Sequence, residues 1–276
     1  MKNKLLDMIK EDVGFEDLTT CAIIDENHMS KAEILSRERG IFAGLSVVKT
    51  ICELYDLQYD FLKKDGDLIN SGDRLLTIEG LTRDILKVER TMLNLTMRMS
   101  GIATLTHNTL NKIRNLNDEI ILASTRKTTP GLQIFEKEAV IIGGGDPHRF
   151  RLDDCVMIKD THRDIVGDLR KAIFLAKKNV SFTKKIEVEV ETIGDAKIAA
   201  KAGADIIMLD NMVPSEIKKV LSELITLNLR KNILIEVSGG ITPNNVCNYV
   251  IDGVNVISMG FLTHSVKPLD LSLEII

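Results

Sequence analysis

The chain contains no tryptophan, and its aromatic residues amount to 4% of 276 positions. An aliphatic core is therefore expected, and a stacking platform for nucleic-acid bases is excluded. Charge of one sign is also missing. Thirty-six basic residues face forty acidic ones, for a net charge of −4. A global nucleic-acid footprint would need a basic domain or stripe, so any anion site must be a local cluster. No apolar run approaches the roughly 18 residues of a membrane span. The start, "MKNKLLDMIKEDVG", is amphipathic and charged, without the apolar stretch of a signal peptide. Cysteine is scarce: Cys21, Cys52, Cys155 and Cys247 follow neither zinc-knuckle spacing nor a disulfide framework. A reducing cytoplasm is the expected location. No linker rich in Pro, Gly or Ser interrupts the chain, so a domain boundary must be a change of pattern.

What is present is 44% hydrophobic residues, enough for one large or two medium domains. The first hundred residues mix types. "NKLLDMIKEDV" and "SVVKTICELYDL" have helical spacing. "KAEILSRERGIFAGL" reads as a strand, a turn and a helix start. "LQYDFLKKDGDLINSGDRLLTIEG" reads as short strands broken by Asp-Gly and Ser-Gly turns. "TRDILKVERTMLNLTMRMSGIATLTHNTLNKIRN" predicts a long helix with a bend near Ser100-Gly101. The mixture indicates an α+β domain.

From about residue 119 the pattern changes. Short apolar runs recur: "EIILAST", "CVMIKDTH", "KIEVEVE", "DIIMLDN", "ILIEVSGG" and "VNVISMG". Between most of them lie helical segments: "RDIVGDLRKAIFLAKK", "IGDAKIAAKAGA", "PSEIKKVLSELITLN" and "TPNNVCNYVIDG". Near-continuous apolar strands alternating with helices imply a parallel sheet covered on both faces. Six such strands favour a β/α barrel, with an open doubly wound sheet as the alternative. Nearly every run ends in reactive side chains or glycines, and in a β/α barrel the strand C-termini converge on one mouth, where active sites sit. Residues scattered in sequence would then be neighbours.

The cations of this set are Arg126, Lys127, His148, Arg149 and Lys159. Arg suits a planar carboxylate or a phosphate through paired hydrogen bonds, and Lys acts as a point charge. Three glycines before "DPHRF" let the His148-Arg149 loop approach a ligand. Surface salt bridges are the plainer reading, weaker for a whole set at one mouth. In "EVEVE", Glu187, Glu189 and Glu191 share one side of a strand. Inside a barrel they would need cations or a metal; on an edge they would be a solvated row. With Asp210 at the next strand end, carboxylates beside phosphates suit Mg²⁺. "SGG" at Ser238-Gly239-Gly240 and a second glycine, Gly260, at the following strand end suit a phosphate cradle. No Ser-His-Asp order, Cys-His pair or HExxH motif is present. The sum describes transfer of a phosphorylated sugar to an anionic acceptor.

Successive stretches carry a resemblance: "EDVGFEDLTT", "ERTMLNLTMRMSGIATLT", "TRKTTPGLQIFEKEAVIIGGG", "HRFRLDDCVMIKDTH", "IEVEVET", "ADIIMLDNM", "EVSGGIT" and "VISMGFLTHSVKPLDLSL". In this order, from about residue 11 to 273, the chain resembles the quinolinate phosphoribosyltransferase family. The resemblance implies an N-terminal α/β sandwich domain and an incomplete parallel α/β barrel of the type II phosphoribosyltransferase kind. The boundaries it suggests are 1–104, with a tail 266–276 returning to that domain, and 105–265 for the barrel. It implies reaction of quinolinate with 5-phosphoribosyl 1-pyrophosphate and Mg²⁺, giving nicotinate mononucleotide, pyrophosphate and CO₂ in de novo NAD biosynthesis. It also implies a homodimer with shared active sites, or a higher oligomer built from it, and no nucleic-acid or membrane partner.

Carried over by position, Arg126, Lys127, His148, Arg149 and Lys159 would hold the carboxylates and the pyrophosphate. Arg90 would reach quinolinate from the partner subunit. Glu189 and Asp210 would serve the Mg²⁺-pyrophosphate side, directly or through water. Lys127, Lys159, Glu189 and Asp210 would be the catalytic set. Ser238, Gly239, Gly240 and Gly260 would bind the 5′-phosphate, with His264 close by. The chain departs from the family at Pro147, Arg151 and Thr161. The "PHR" triplet is shared with paralogues of molybdenum-transport operons, so an enzyme using another acidic acceptor is the alternative.

Overall fold

The structure, a computed structural model, describes all residues from Met1 to Ile276. Its strands are, in chain order, β1 (Met29–Ser36), β2 (Gly40–Ile41), β3 (Gln58–Phe61), β4 (Leu68–Ile69), β5 (Arg74–Leu81), β6 (Ile121–Ala123), β7 (Val156–Ile158), β8 (Ile186–Val190), β9 (Ile206–Asp210), β10 (Leu234–Ser238), β11 (Val256–Ser258) and β12 (Leu271–Ile275). The chain divides into two compact units. The first is Met1–His107, Ile134–Gly144 and Val266–Ile276; the second is Asn108–Gln133 and Gly145–Ser265.

The first unit is built on a four-stranded antiparallel sheet in the order β12-β1-β5-β3, with a small β2-β4 pair. Its helices include Leu45–Leu54, whose apolar positions Val47, Val48, Ile51 and Cys52 are all buried. The tail enters through β12, whose Leu273 pairs with Ile34 of β1. The long helix expected from the sequence is there as one element, Thr82–Arg114. A β-carbon on Gly101 would lie 2.3 Å from the carbonyl oxygen of Lys267. The glycine thus admits the incoming tail against the helix backbone.

The 105–265 boundary needs one correction, because the helix Gln133–Ile142 falls almost wholly in the first unit. Specific contacts hold it there. Arg98 pairs with the buried Glu136 at 2.6 Å, and the Ser46 hydroxyl donates to Glu138 at 2.8 Å. A β-carbon on Gly143 would meet the Ala103 carbonyl at 2.6 Å.

The second unit is a parallel sheet of six strands in the order β6-β11-β10-β9-β8-β7. Ala123 makes one further parallel bridge, to Asp146. The edge strands β6 and β7 do not pair with each other, so the barrel is incomplete. Its strands are buried along most of their length. Val188, Ile207, Leu209, Ile235, Val237 and Ile257 have no exposed surface. Each such side chain adds roughly 1.5–3 kcal/mol of burial. The helix Ile193–Ala202 buries Ala196, Ala199 and Ala200, a small-residue face that packs close. The helix Pro214–Thr226 buries Ile217, Val220, Leu221 and Leu224 at helical spacing.

Two expected helices differ. "RDIVGDLRKAIFLAKK" forms two helices, broken where Gly167 turns left-handed at φ 82 and Asp168 caps the second through Lys171 N–H. "TPNNVCNYVIDG" forms only a 3-10 turn, Val246–Tyr249. There the Asn245 side chain accepts from the Thr242 N–H at 2.7 Å, and such local bonds compete with a helix.

Candidate active site

The residues singled out at the strand ends come together in the second unit. A cavity of about 300 Å³ is lined by Ser124, Thr125, Arg126, Lys127, His148, Arg149, Met157, Lys159, Glu189, Met208, Asp210, Glu236 and Ser238. A second, of about 110 Å³, is lined by Ser238, Gly239, Gly240, Ile241, Thr242, Gly260, Phe261 and His264. Lys127 and Ser238 line both, so the two are neighbouring parts of one site. Arg90 lies elsewhere, on the helix Thr82–Arg114 of the first unit. Its side chain is 58% exposed, with Glu89 at 3.6 Å.

Local structure fixes each group. The end of β6 is held on both sides. Met259 N–H donates to the Ala123 carbonyl at 2.9 Å, and Ser124 N–H to the Asp146 carbonyl at 2.9 Å. The following Lys127 is tied through its carbonyl, which accepts from the Thr263 hydroxyl at 2.8 Å. Lys159 caps the helix Asp160–Val166, its N–H donating to His162 Nδ1 at 3.0 Å. Its ammonium pairs with Glu189. The Arg149 guanidinium donates to the Cys155 carbonyl at 3.0 Å and lies against Met157 Sδ at 3.2 Å.

The cradle needs its glycines. Gly239 has φ +93, and a β-carbon there would stand 2.5 Å from the Asn211 backbone nitrogen and 2.2 Å from its Oδ1. At Gly260 a β-carbon would reach Lys127 Cδ at 2.9 Å and His264 Cδ2 at 3.1 Å. Both glycines line the second cavity.

The electrostatics of the site are mixed, with carboxylates set among cations. Burial, and then the neighbouring Glu189, push the Asp210 carboxyl above its ordinary value, against the pull of Lys159 and Lys127. A group in that state gains from a cation nearby. Glu189 and Asp210 therefore fit the Mg²⁺ expected beside a pyrophosphate, since this ion takes one or two carboxylates and completes its shell with substrate oxygens and water.

The row of glutamates on β8 splits. Glu189 lines the first cavity, and Glu191 lies past the strand end, exposed. Glu187 is wholly buried and points to the opposite end of the barrel interior, into a third cavity of about 350 Å³. The solvated-row reading therefore fails for Glu187. Burial first, and the Glu236 carboxylate second, push its carboxyl up to about 8. Glu236 and Met208 were not singled out from the sequence. A signal for Glu236 existed: it stands two residues before Ser238 on β10, so period-two geometry turns both to the interior.

A six-stranded parallel barrel with cations, paired carboxylates and a glycine cradle at its strand C-termini defines a class, the barrel enzymes that act on phosphorylated sugars. Comparison with known proteins narrows it. Residues 17–100 match the family described as Quinolinate phosphoribosyl transferase, N-terminal domain, and residues 102–274 the family described as its C-terminal domain. The chain is 55% identical to "Probable nicotinate-nucleotide pyrophosphorylase [carboxylating]" of Methanothermobacter thermautotrophicus, over 100% of this chain and 99% of that protein. NadC from Streptococcus pyogenes superposes with a TM-score of 0.91 at 39% identity, covering 99% of this chain and 96% of that one. The nicotinate-nucleotide pyrophosphorylase from Ehrlichia chaffeensis superposes at 0.93 with 33% identity, covering 100% and 98%. The chain belongs to the quinolinate phosphoribosyl transferase family.

Proposed function

We propose that this chain transfers the phosphoribosyl group of 5-phosphoribosyl 1-pyrophosphate to quinolinate and releases CO₂, giving nicotinate mononucleotide and pyrophosphate in de novo NAD biosynthesis. The observation that carries the reading is the cavity in which Arg126, Lys127, Arg149 and Lys159 face Glu189 and Asp210, in a chain of this family. The rival acceptor of the molybdenum-transport paralogues gains nothing from the relatives named above.

In this reading Arg126, Lys127, His148, Arg149 and Lys159 surround the two carboxylates of quinolinate and the pyrophosphate. Ser238, Gly239, Gly240 and Gly260 hold the 5′-phosphate, with His264 beside them. Holding the ring nitrogen near the anomeric carbon turns a meeting of two molecules into a step within one complex. As pyrophosphate departs, positive charge develops on the ribose, and Glu189 and Asp210 favour it. Mg²⁺ held by those two carboxylates, directly or through water, would neutralise the departing pyrophosphate. Attack leaves the ring nitrogen positive, which stabilises the electron pair left on the neighbouring ring carbon when its bond to the carboxylate breaks; CO₂ departs and that carbon takes up a proton. The cations must hold the acid without over-stabilising the carboxylate that leaves, since only interactions stronger in the transition state accelerate it.

Arg90 completes the acceptor site from a second subunit, so the working form is a homodimer. Its exposed side chain, paired only to an adjacent glutamate, supports this role. Light scattering on the purified chain tests the dimer. A reducing cytoplasm suits the four free cysteines, and no helix is long and apolar enough to cross a membrane.

The test is incubation with quinolinate, 5-phosphoribosyl 1-pyrophosphate and Mg²⁺, following nicotinate mononucleotide by chromatography, beside a parallel run with nicotinate. Product from quinolinate alone is expected. A folded protein that binds phosphoribosyl pyrophosphate yet forms no product from either acid overturns the acceptor assignment.

A further inference from the structure

Between the active-site cavity and the third cavity lie three groups from separate elements: His148, Glu187 of β8 and Glu236 of β10. His148 and Glu236 line both cavities. His148 has φ 53, a left-handed backbone that a residue other than glycine adopts only when held. Hydrogen bonds hold it. Its N–H donates to Asp146 Oδ1 at 2.6 Å. Its ring Nδ1 accepts the Arg149 N–H at 2.8 Å. Its ring Nε2 stands 3.1 Å from Glu236 Oε2, a side chain with almost no exposed surface.

These bonds settle the proton. Nδ1 is occupied as an acceptor and carries no hydrogen. A neutral ring then has its hydrogen on Nε2, which donates to Glu236. Glu187 Oε2, at 3.7 Å, is beyond hydrogen-bond reach of that nitrogen. The three residues bring ligand atoms within 4.8 Å of one another, a spacing that suits a cation. A protonated Nε2, however, offers a metal no lone pair.

We propose that Glu236 is a positioning residue for the acceptor site: it holds His148 as the Nε2–H tautomer and, through Nδ1, fixes the Arg149 backbone so that its guanidinium faces the acceptor. The consequence for the acceptor rests on the function proposed above; the tautomer does not. Withdrawing the accepting oxygen from Nε2 frees the ring to exchange its proton between nitrogens. Each Nδ1–H state loses the bond to Arg149 N–H and loosens the left-handed turn. The guanidinium then spends less time against Cys155 and Met157.

The test uses the full chain with ¹⁵N-labelled histidine, and three variants. Glu236→Gln keeps the reach and an accepting oxygen. Glu236→Asp keeps the charge but withdraws it by about 1.5 Å, one bond length. His148→Asn identifies the His148 signals among the five histidines. Long-range ¹H-¹⁵N spectra are expected to give a fixed Nε2–H tautomer in the parent and in Glu236→Gln, and a mixture in Glu236→Asp. In steady-state assays Glu236→Asp is expected to raise KM for quinolinate on the order of tenfold. KM for phosphoribosyl pyrophosphate should hold steady, and Glu236→Gln should stay near the parent. An Nδ1–H or imidazolium form of His148 in the parent overturns the proposal whatever the Glu236 variants do. An unchanged tautomer in Glu236→Asp overturns it as well. The expected spectra with an unchanged quinolinate KM overturn the link from the ring to Arg149. No turnover of quinolinate by the parent, with the expected spectra, overturns the function instead and leaves the tautomer standing.

Discussion

Replacing Glu187 with glutamine is expected to flatten the dependence of stability on pH. The parent carboxyl is fully buried, and neither of its oxygens has a hydrogen-bond partner. Its ordinary value of 4.5 is pushed up to about 8, first by burial and then by Glu236. Between those values the folded protein keeps the proton and the unfolded chain releases it. Folding therefore takes up one proton, and stability falls as pH rises. It is fully present below the ordinary value and is lost progressively up to the folded one. The slope is at most about 1.4 kcal/mol per pH unit. Moving from about pH 5 to about pH 7 then weakens folding by up to roughly 3 kcal/mol. The amide of glutamine has the same shape and nothing to release, so this loss should vanish in the variant. Urea unfolding at a series of pH values, followed by circular dichroism, measures it. The exposed carboxylates held low by backbone N–H bonds, such as Asp73 and Asp154, act at more acidic pH, and Asp65 and Asp210, pushed up chiefly by burial, are present in both proteins and cancel in the difference. Parallel parent and variant curves between pH 5 and 7 would refute the reasoning.

Other substitutions test the rest of the architecture. Lys159→Ala removes the cation paired with Glu189 and should abolish turnover while leaving the circular dichroism spectrum intact; near-parental turnover would sink the assignment of the cavity. Gly239→Ala forces a β-carbon against the Asn211 backbone at a φ of +93, so phosphoribosyl pyrophosphate binding measured by calorimetry should weaken at least tenfold, on the order of 1.4 kcal/mol. Ile207→Ala empties a fully buried position on the central strand β9 and should cost about 2–5 kcal/mol in denaturant titration. Gly101→Val would collide with the Lys267 carbonyl, and limited proteolysis should then release the tail as an early fragment.

The sequence by itself determined a good deal. The alternation of apolar runs and helical segments after residue 119 gave away the parallel sheet, because strands buried on both faces leave a continuous apolar signature. The ends of those runs pointed to Arg126, Lys127, Lys159, Glu189, Asp210 and Ser238, since a parallel barrel gathers strand C-termini whatever the loops do. Ordered motifs along nearly the whole chain gave the family. Other features had no local signal. The helix Gln133–Ile142 lies between two barrel segments, yet it belongs to the first unit through Arg98–Glu136 and Ser46–Glu138, and only tertiary partners decide that. The 3-10 turn at Val246–Tyr249 follows from a side-chain bond that periodicity does not register. Glu187 and Glu189 are two residues apart on one strand face and look alike in sequence. Depth in the barrel separates them: one meets Lys159 near the mouth, and the other is buried without a hydrogen-bond partner beside Glu236 and His148. Side-chain alternation determines which way a residue points, but only the packed interior determines what it meets there and whether water reaches it.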